Sequence, residues 1–164
     1  MAGKMPSRKS KINKAAGDFN IAIVYSSWHH LIVDNLLNSC IETLVSNGID
    51  INNLSFFQVP GSFEIPLTSQ WLLESPKIDG VVCLGCIIKG ETQHDEFIAH
   101  AINHAIMDLN LKFGKPVING VLTTLNIKQA KARSGGKLGN KGSDCAHAMM
   151  QMLETKHKIK SENS

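Results

Sequence analysis

The sequence predicts an α/β protein: a single-domain, three-layer sandwich with a four-stranded parallel sheet and helices on both faces. Three observations predict it. Short apolar runs alternate with stretches of helical periodicity along most of the 164 residues, the pattern of linked β-α-β units. One run, Gly80–Ile88 (GVVCLGCII), is apolar throughout, as a strand buried on both faces of a parallel sheet must be. The composition, 43% hydrophobic and 19% charged, is that of a packed chain able to bury a core without disulfides or metal.

Residues 1–17 are basic, polar and poor in large apolar groups, so a flexible N-terminal tail is expected there. Phe19–Tyr25 (FNIAIVY) reads as the first strand, by its Ile and Val content. Leu31–Ser46 places Leu36, Leu37, Cys40, Ile41, Leu44 and Val45 at helical spacing, and Asn47-Gly48 stops that helix. Asn53–Val59 is a second strand, ended by Pro60-Gly61. Phe63–Leu73 is helical and closes at Ser75-Pro76. Gly80–Ile88 is the third strand. Glu91–Phe113 is a long helix closed by Gly114-Lys115-Pro116, and Val117–Leu122 is the fourth strand. A short helix, Asn126–Arg133, leads through a glycine cluster into a last helix from Asn140 to Lys156. The expected partition is a tail at 1–17, one domain at 18–157 and a C-terminal tail at 158–164. Right-handed crossovers then favour an open, doubly wound sheet, which binds ligands outside the carboxyl ends of its strands.

Composition narrows the function classes. A net charge of +3 is too mild to argue for nucleic acid. No apolar run approaches the roughly 20 residues of a membrane span, and the first 17 residues lack the apolar core of a secretory signal. The four cysteines, Cys40, Cys83, Cys86 and Cys145, fall in apolar or helical segments, as reduced thiols of a cytoplasmic protein would.

The carboxyl-end rule points to Ser26–His30, Pro60–Glu64, Cys86–His94 and Thr123–Asn126. Trp28 reads first as a cover for the sheet edge, since Trp is usually well buried, and otherwise as a flat platform for a heterocycle. Gly61 permits close approach of a ligand, and Ser62 can cap the following helix. Glu64 either complements the helix dipole or accepts hydrogen bonds from ligand hydroxyls. Gly90, Glu91 and Thr92 lie at the start of a helix whose first N–H groups suit an anion, and His94 adds a side chain that can both take and give a proton. That pairing suggests proton transfer on a phosphorylated substrate. Cys83-Leu-Gly-Cys86 matches C-x-x-C but lies inside a strand, which argues against a redox pair or zinc site. His100 and His104 are one turn apart without the glutamate of a zincin helix, so no metal is expected. Arg133, Lys137 and Lys141 cluster among glycines, and Arg133 has the donor fork for a phosphate.

The segments VPGSFEIP, LGCIIKGETQHDEF, GVLTT, QAKARSG and GNKG, in this order and spacing, resemble the 6,7-dimethyl-8-ribityllumazine synthase family from about Phe19 to Met152. The resemblance implies a flavodoxin-like sheet of order 2-1-3-4. It also implies a transferase of riboflavin biosynthesis that uses no metal and no organic cofactor. Its two small-molecule substrates are 5-amino-6-(D-ribitylamino)uracil and 3,4-dihydroxy-2-butanone 4-phosphate, and it releases phosphate and water.

By the same resemblance, Trp28 stacks on the pyrimidine, and Ser62, Phe63 and Glu64 hold the ribityl chain and ring. The backbone of Cys86, Ile87 and Ile88 reads the uracil edge. Glu91, Thr92 and Arg133 bind the butanone phosphate, and His94 is the catalytic proton-transfer residue. Asn119 takes a position, often Phe, that reaches in from a neighbouring subunit. The family builds homopentamers with sites between subunits, either alone or as decamers and sixty-subunit capsids; no nucleic acid or membrane partner is implied. Trp28, Asp95 and Asn119 depart from the family's commonest residues. Two other classes compete: a flavin- or lumazine-binding module without turnover, and a nucleic-acid binder that uses the basic tail.

Overall fold

Each apolar run becomes a strand and each periodic stretch a helix, because only that arrangement hides both faces of a parallel sheet. The structure, a computed structural model, describes residues 18–163, so the expected N-terminal tail lies outside the described residues. In order, the main elements are β1 (Ile21–Ser26), α1 (His30–Ser46), β2 (Leu54–Val59), α2 (Ile65–Leu73), β3 (Gly80–Ile88) and α3 (His94–Phe113). They continue with β4 (Val117–Thr124), α4 (Ile127–Arg133), β5 (Ser134–Gly136), β6 (Gly139–Asn140) and α5 (Lys141–Glu162). β1 to β4 form one sheet in the order β2-β1-β3-β4, every pairing parallel.

The core divides into two layers, one on each face of the sheet. Ile21, Ile23, Val82 and Leu84 point into the layer completed by Leu36, Cys40 and Leu44 of α1 and Met149, Met150 and Leu153 of α5. The alternate residues Ala22, Val24, Val81 and Cys83 point into the other, completed by Ile65 and Leu73 of α2 and Ile102, Ile106 and Leu109 of α3. This alternation follows from the two-residue repeat of a strand. It also separates the two cysteines of the C-x-x-C run: Cys83 faces one layer and Cys86 the other. Burial pushes the Cys83 thiol up to about 12, although Ser69 Oγ lies 3.5 Å from its sulfur and acts in the opposite sense.

Several boundaries differ from the sequence reading for identifiable reasons. β1 starts at Ile21, because the Asn20 N–H donates to the Asp79 carboxylate (2.9 Å) rather than to a strand. β4 runs on to Thr124, whose carbonyl accepts the Lys89 N–H at 2.8 Å. α3 starts at His94, three residues later than expected. The glycine cluster between the last helices is a small antiparallel hairpin, β5-β6, in which Gly135 and Gly139 adopt positive φ. α5 extends to Glu162, six residues beyond Lys156, and carries an i,i+4 ion pair between Lys158 and Glu162 (3.7 Å). No helix among the described residues is long and apolar enough to cross a membrane.

Candidate active site

The strand order decides where a ligand can enter. After β1 the chain leaves through α1 on one face of the sheet; after β3 it leaves through α3 on the other. The two exits diverge and open a crevice at the carboxyl ends of β1 and β3, the switch point of the sheet. A cavity of about 410 Å³ lies there. Its walls come from four segments: Trp28 and His29 after β1, Gly61–Phe63 before α2, Cys86–Ile88 at the end of β3, and Gly90, Thr92, His94, Asp95 and Ile98 around the start of α3. Three of the four places singled out in the sequence thus meet in one cavity. Thr123–Asn126 is not part of its lining.

The floor is backbone. β3 pairs with β1 only as far as Leu84, but with β4 as far as Ile88. Along Cys86–Ile88 the edge facing β1 therefore has no strand partner, and its peptide groups are available to a planar ligand with donors and acceptors at its rim. Gly85 keeps this floor low: a Cβ there would lie 2.5 Å from Ser62 Oγ and 3.4 Å from Ser26 Oγ. Burial pushes the Cys86 thiol up to about 11, so it stays protonated at neutral pH and is a wall rather than a nucleophile.

Trp28 is 69% exposed despite its size. It also lines a second, shallower hollow with Ser27, Gln58, Val59 and Pro60. An indole left this open does not serve as a buried cover for the sheet edge in this chain, and its face is free. His29 holds it there. It is the only non-glycine residue with positive φ (57°) among the described residues, and its carbonyl accepts the first hydrogen bonds of α1, from Ile32 and Val33. The His29 ring meets Trp28 edge-on, with centroids 6.4 Å apart. The sequence singles out this turn but gives His29 no role, since residue type alone does not reveal a left-handed backbone.

At the opposite wall the first N–H groups of α3 lack intrahelical acceptors. Thr92 Oγ1 accepts the His94 N–H at 3.4 Å. The His94 side chain is exposed and carries no hydrogen bond among the described residues, so its ring is available to a ligand. Asp95 and Ile98, on the cavity side of α3, complete this wall; Ile98 was not anticipated, because its spacing reads as core.

Four candidate residues lie outside this lining. Glu64 is exposed and turns one carboxylate oxygen back to the Gly61 N–H (2.9 Å), which steadies the turn before α2. Glu91 is exposed beside Thr92. Asn119 sits midway along β4, level with Cys83, and donates to Asn103 Oδ1 of α3 at 2.6 Å. Arg133 ends α4 and donates to the Leu138 carbonyl (2.7 Å) and the Asp144 carboxylate (3.1 Å), which ties the β5-β6 hairpin to α5. His100 and His104 are exposed along α3, and no cluster of three or more His, Cys, Asp or Glu able to hold a metal occurs among the described residues.

Fold and cavity together define a class: a doubly wound α/β protein with a largely apolar, heterocycle-sized site, edged by a few polar groups, at its switch point. Comparison with known proteins narrows the class. The family model of 6,7-dimethyl-8-ribityllumazine synthase matches residues 18–157. The 6,7-dimethyl-8-ribityllumazine synthase of Cytophaga hutchinsonii is 42% identical over 152 residues, 93% of this chain and 91% of the relative. The synthase of Deinococcus radiodurans is 43% identical over 145 residues, 88% of this chain and 92% of the relative. That of Pediococcus pentosaceus is 36% identical over 151 residues, 89% of this chain and 97% of the relative. The chain belongs to the 6,7-dimethyl-8-ribityllumazine synthase family.

Proposed function

We propose that this chain is a transferase of riboflavin biosynthesis. It condenses 5-amino-6-(D-ribitylamino)uracil with 3,4-dihydroxy-2-butanone 4-phosphate to 6,7-dimethyl-8-ribityllumazine, releasing phosphate and water. The observation that carries this reading is the cavity itself. It sets an exposed indole, an unpaired strand edge and a free imidazole around one space of about 410 Å³.

The roles follow from what each group offers. Trp28 stacks on the pyrimidine while the Cys86–Ile88 edge exchanges hydrogen bonds with its rim. Ser62, Phe63 and Glu64 hold the ribityl chain. Thr92 and Glu91 shape the turn before α3, where the free N–H groups take the phosphate. The pyrimidine's amine attacks the butanone carbonyl, and loss of water gives an imine. Phosphate then leaves, and the second amine closes the ring with loss of a second water. His94 moves protons in these steps, a contribution of about 10²–10⁴-fold. Holding both reactants together contributes roughly 7–11 kcal/mol.

The site is completed between subunits. Arg133 and Asn119 lie outside the cavity of their own chain and, in this reading, act on a neighbour's: Arg133 on the phosphate, Asn119 at the pyrimidine side. The reading is supported by exposed Leu67 and Trp71, one turn apart on α2, an apolar surface suited to a second copy. The assembly is a homopentamer, alone or multiplied to a decamer or a sixty-subunit capsid, and it works in the cytoplasm with neither metal nor organic cofactor. Light scattering gives the mass, and monomers isolated at high dilution are expected to be inactive. Activity that stays constant per subunit down to the monomer would refute the shared site.

A further inference from the structure

We infer that Asp95 is a specificity-determining contact for the pyrimidine substrate, a role that rests on the synthase reading above. Asp95 is the second residue of α3, half-buried, and lines the cavity. Its Oδ1 is enclosed and has no hydrogen-bond partner among the described residues. An ionised carboxylate is an acceptor only, and leaving one of its oxygens unpaired in a protein wall is costly. The positive end of α3 favours the charge but supplies no partner to that oxygen. No lysine or arginine among the described residues donates a hydrogen bond to it either. Its neighbour His94 is successive on the helix, so the two side chains diverge rather than face each other.

A second orphan borders the same cavity. Ser62 is 7% exposed, and its Oγ likewise has no partner. Two enclosed, unpartnered oxygens on one cavity mark a wall shaped for a ligand that brings donors. A carboxylate held this way gains by turning toward any N–H or O–H that enters. The two substrates differ in this respect. The butanone phosphate carries negative charge, which Asp95 repels. The aminopyrimidine carries ring and exocyclic N–H groups and ribityl hydroxyls, all of them donors. Asp95 therefore attracts one substrate and discriminates against misplacement of the other.

The test uses the assembled protein and its Asp95→Ala and Asp95→Asn variants. Calorimetry measures binding of the pyrimidine alone, which cannot turn over without its partner, and steady-state assays give KM for each substrate. The pyrimidine Kd is expected to rise about ten- to a hundredfold in Asp95→Ala. It should rise less in Asp95→Asn, which keeps an acceptor, while KM for the butanone phosphate does not rise in either variant, because the charge that repels it at the start of α3 is gone, and the assembly mass is unchanged. Unaltered pyrimidine binding in Asp95→Ala overturns the inference. So does an equal loss for both substrates with a changed assembly mass, which would make Asp95 a subunit contact. Wild-type protein that forms no lumazine overturns the synthase reading and this role with it, whereas active wild type with an indifferent Asp95→Ala overturns this role alone.

Discussion

Gly142→Ala should destabilise the protein although alanine is the better helix former. Gly142 lies buried in the first turn of α5, directly against α1. A Cβ there would sit 1.9 Å from the Leu36 carbonyl oxygen and 2.7 Å from its carbon. Both are backbone atoms, so no side-chain rotation relieves the contact. The two helices would have to part by about 1.5 Å to reach ordinary separation, about 3.5 Å. That movement opens the layer in which Leu36, Cys40 and Leu44 pack against Cys145, Met149 and Leu153. Overpacking of this kind costs about 3 kcal/mol, the upper end of the usual range. Helix propensity returns about 1 kcal/mol. The net loss is about 2 kcal/mol, a fall in Tm of about 4–8 °C for a chain of this size. Urea unfolding followed by circular dichroism, at fixed protein concentration so that assembly contributes equally, measures it. A variant as stable as wild type would refute the close packing of α1 on α5. It would also remove the physical reason for the second glycine of GNKG.

Four further outcomes are expected. His94→Ala should lower kcat by about 10²–10⁴-fold without abolishing turnover, because positioning of the reactants survives; an unchanged rate would remove His94 from the mechanism. Trp28→Ala should leave urea stability within about 0.5 kcal/mol, since the indole is exposed, yet raise KM for the pyrimidine; a large stability loss would make Trp28 a packing residue. Arg133→Ala should raise KM for the butanone phosphate, and a change confined to the pyrimidine KM would contradict that role. The thiols of Cys83 and Cys145 are both pushed up to about 12, chiefly by burial, from 9.0. The unfolded chain therefore loses those protons first. Their stabilisation is full below about pH 9 and is lost as pH rises toward 12, at up to about 1.4 kcal/mol per unit per thiol. Urea unfolding at pH 8 and pH 10.5 checks the slope, and Cys83→Ala should flatten it; equal slopes would refute the burial.

What the sequence makes legible is what burial alone determines. β3 is unmistakable because both of its faces are covered, and α1 because its buried residues recur at helical spacing. The cavity is legible for a topological reason: parallel strands bring Ser26, Val59 and Ile88 to one end of the sheet, so polar residues just past them must converge. The β5-β6 hairpin is not legible, because its strands are glycines and small polar residues with no face to bury. The last turns of α5 escape notice because they are exposed and held by local charge rather than by a core. His29 and Asp95 are missed as cavity residues for different reasons. The first depends on a backbone angle, and the second on the absence of a partner, which only coordinates show. The family resemblance implies roles for Arg133 and Asn119, whereas the fold places both outside their own chain's cavity.

The central claim is that this cavity joins an aminopyrimidine to a phosphorylated ketone. The most direct test mixes purified, assembled protein with both substrates and follows lumazine absorbance and inorganic phosphate together, with His94→Ala in parallel. Product and phosphate are expected in equal amounts, well above the uncatalysed rate and slower in the variant. A folded assembly that binds the pyrimidine but forms no product above the uncatalysed rate would contradict it and mark the chain as a binding module.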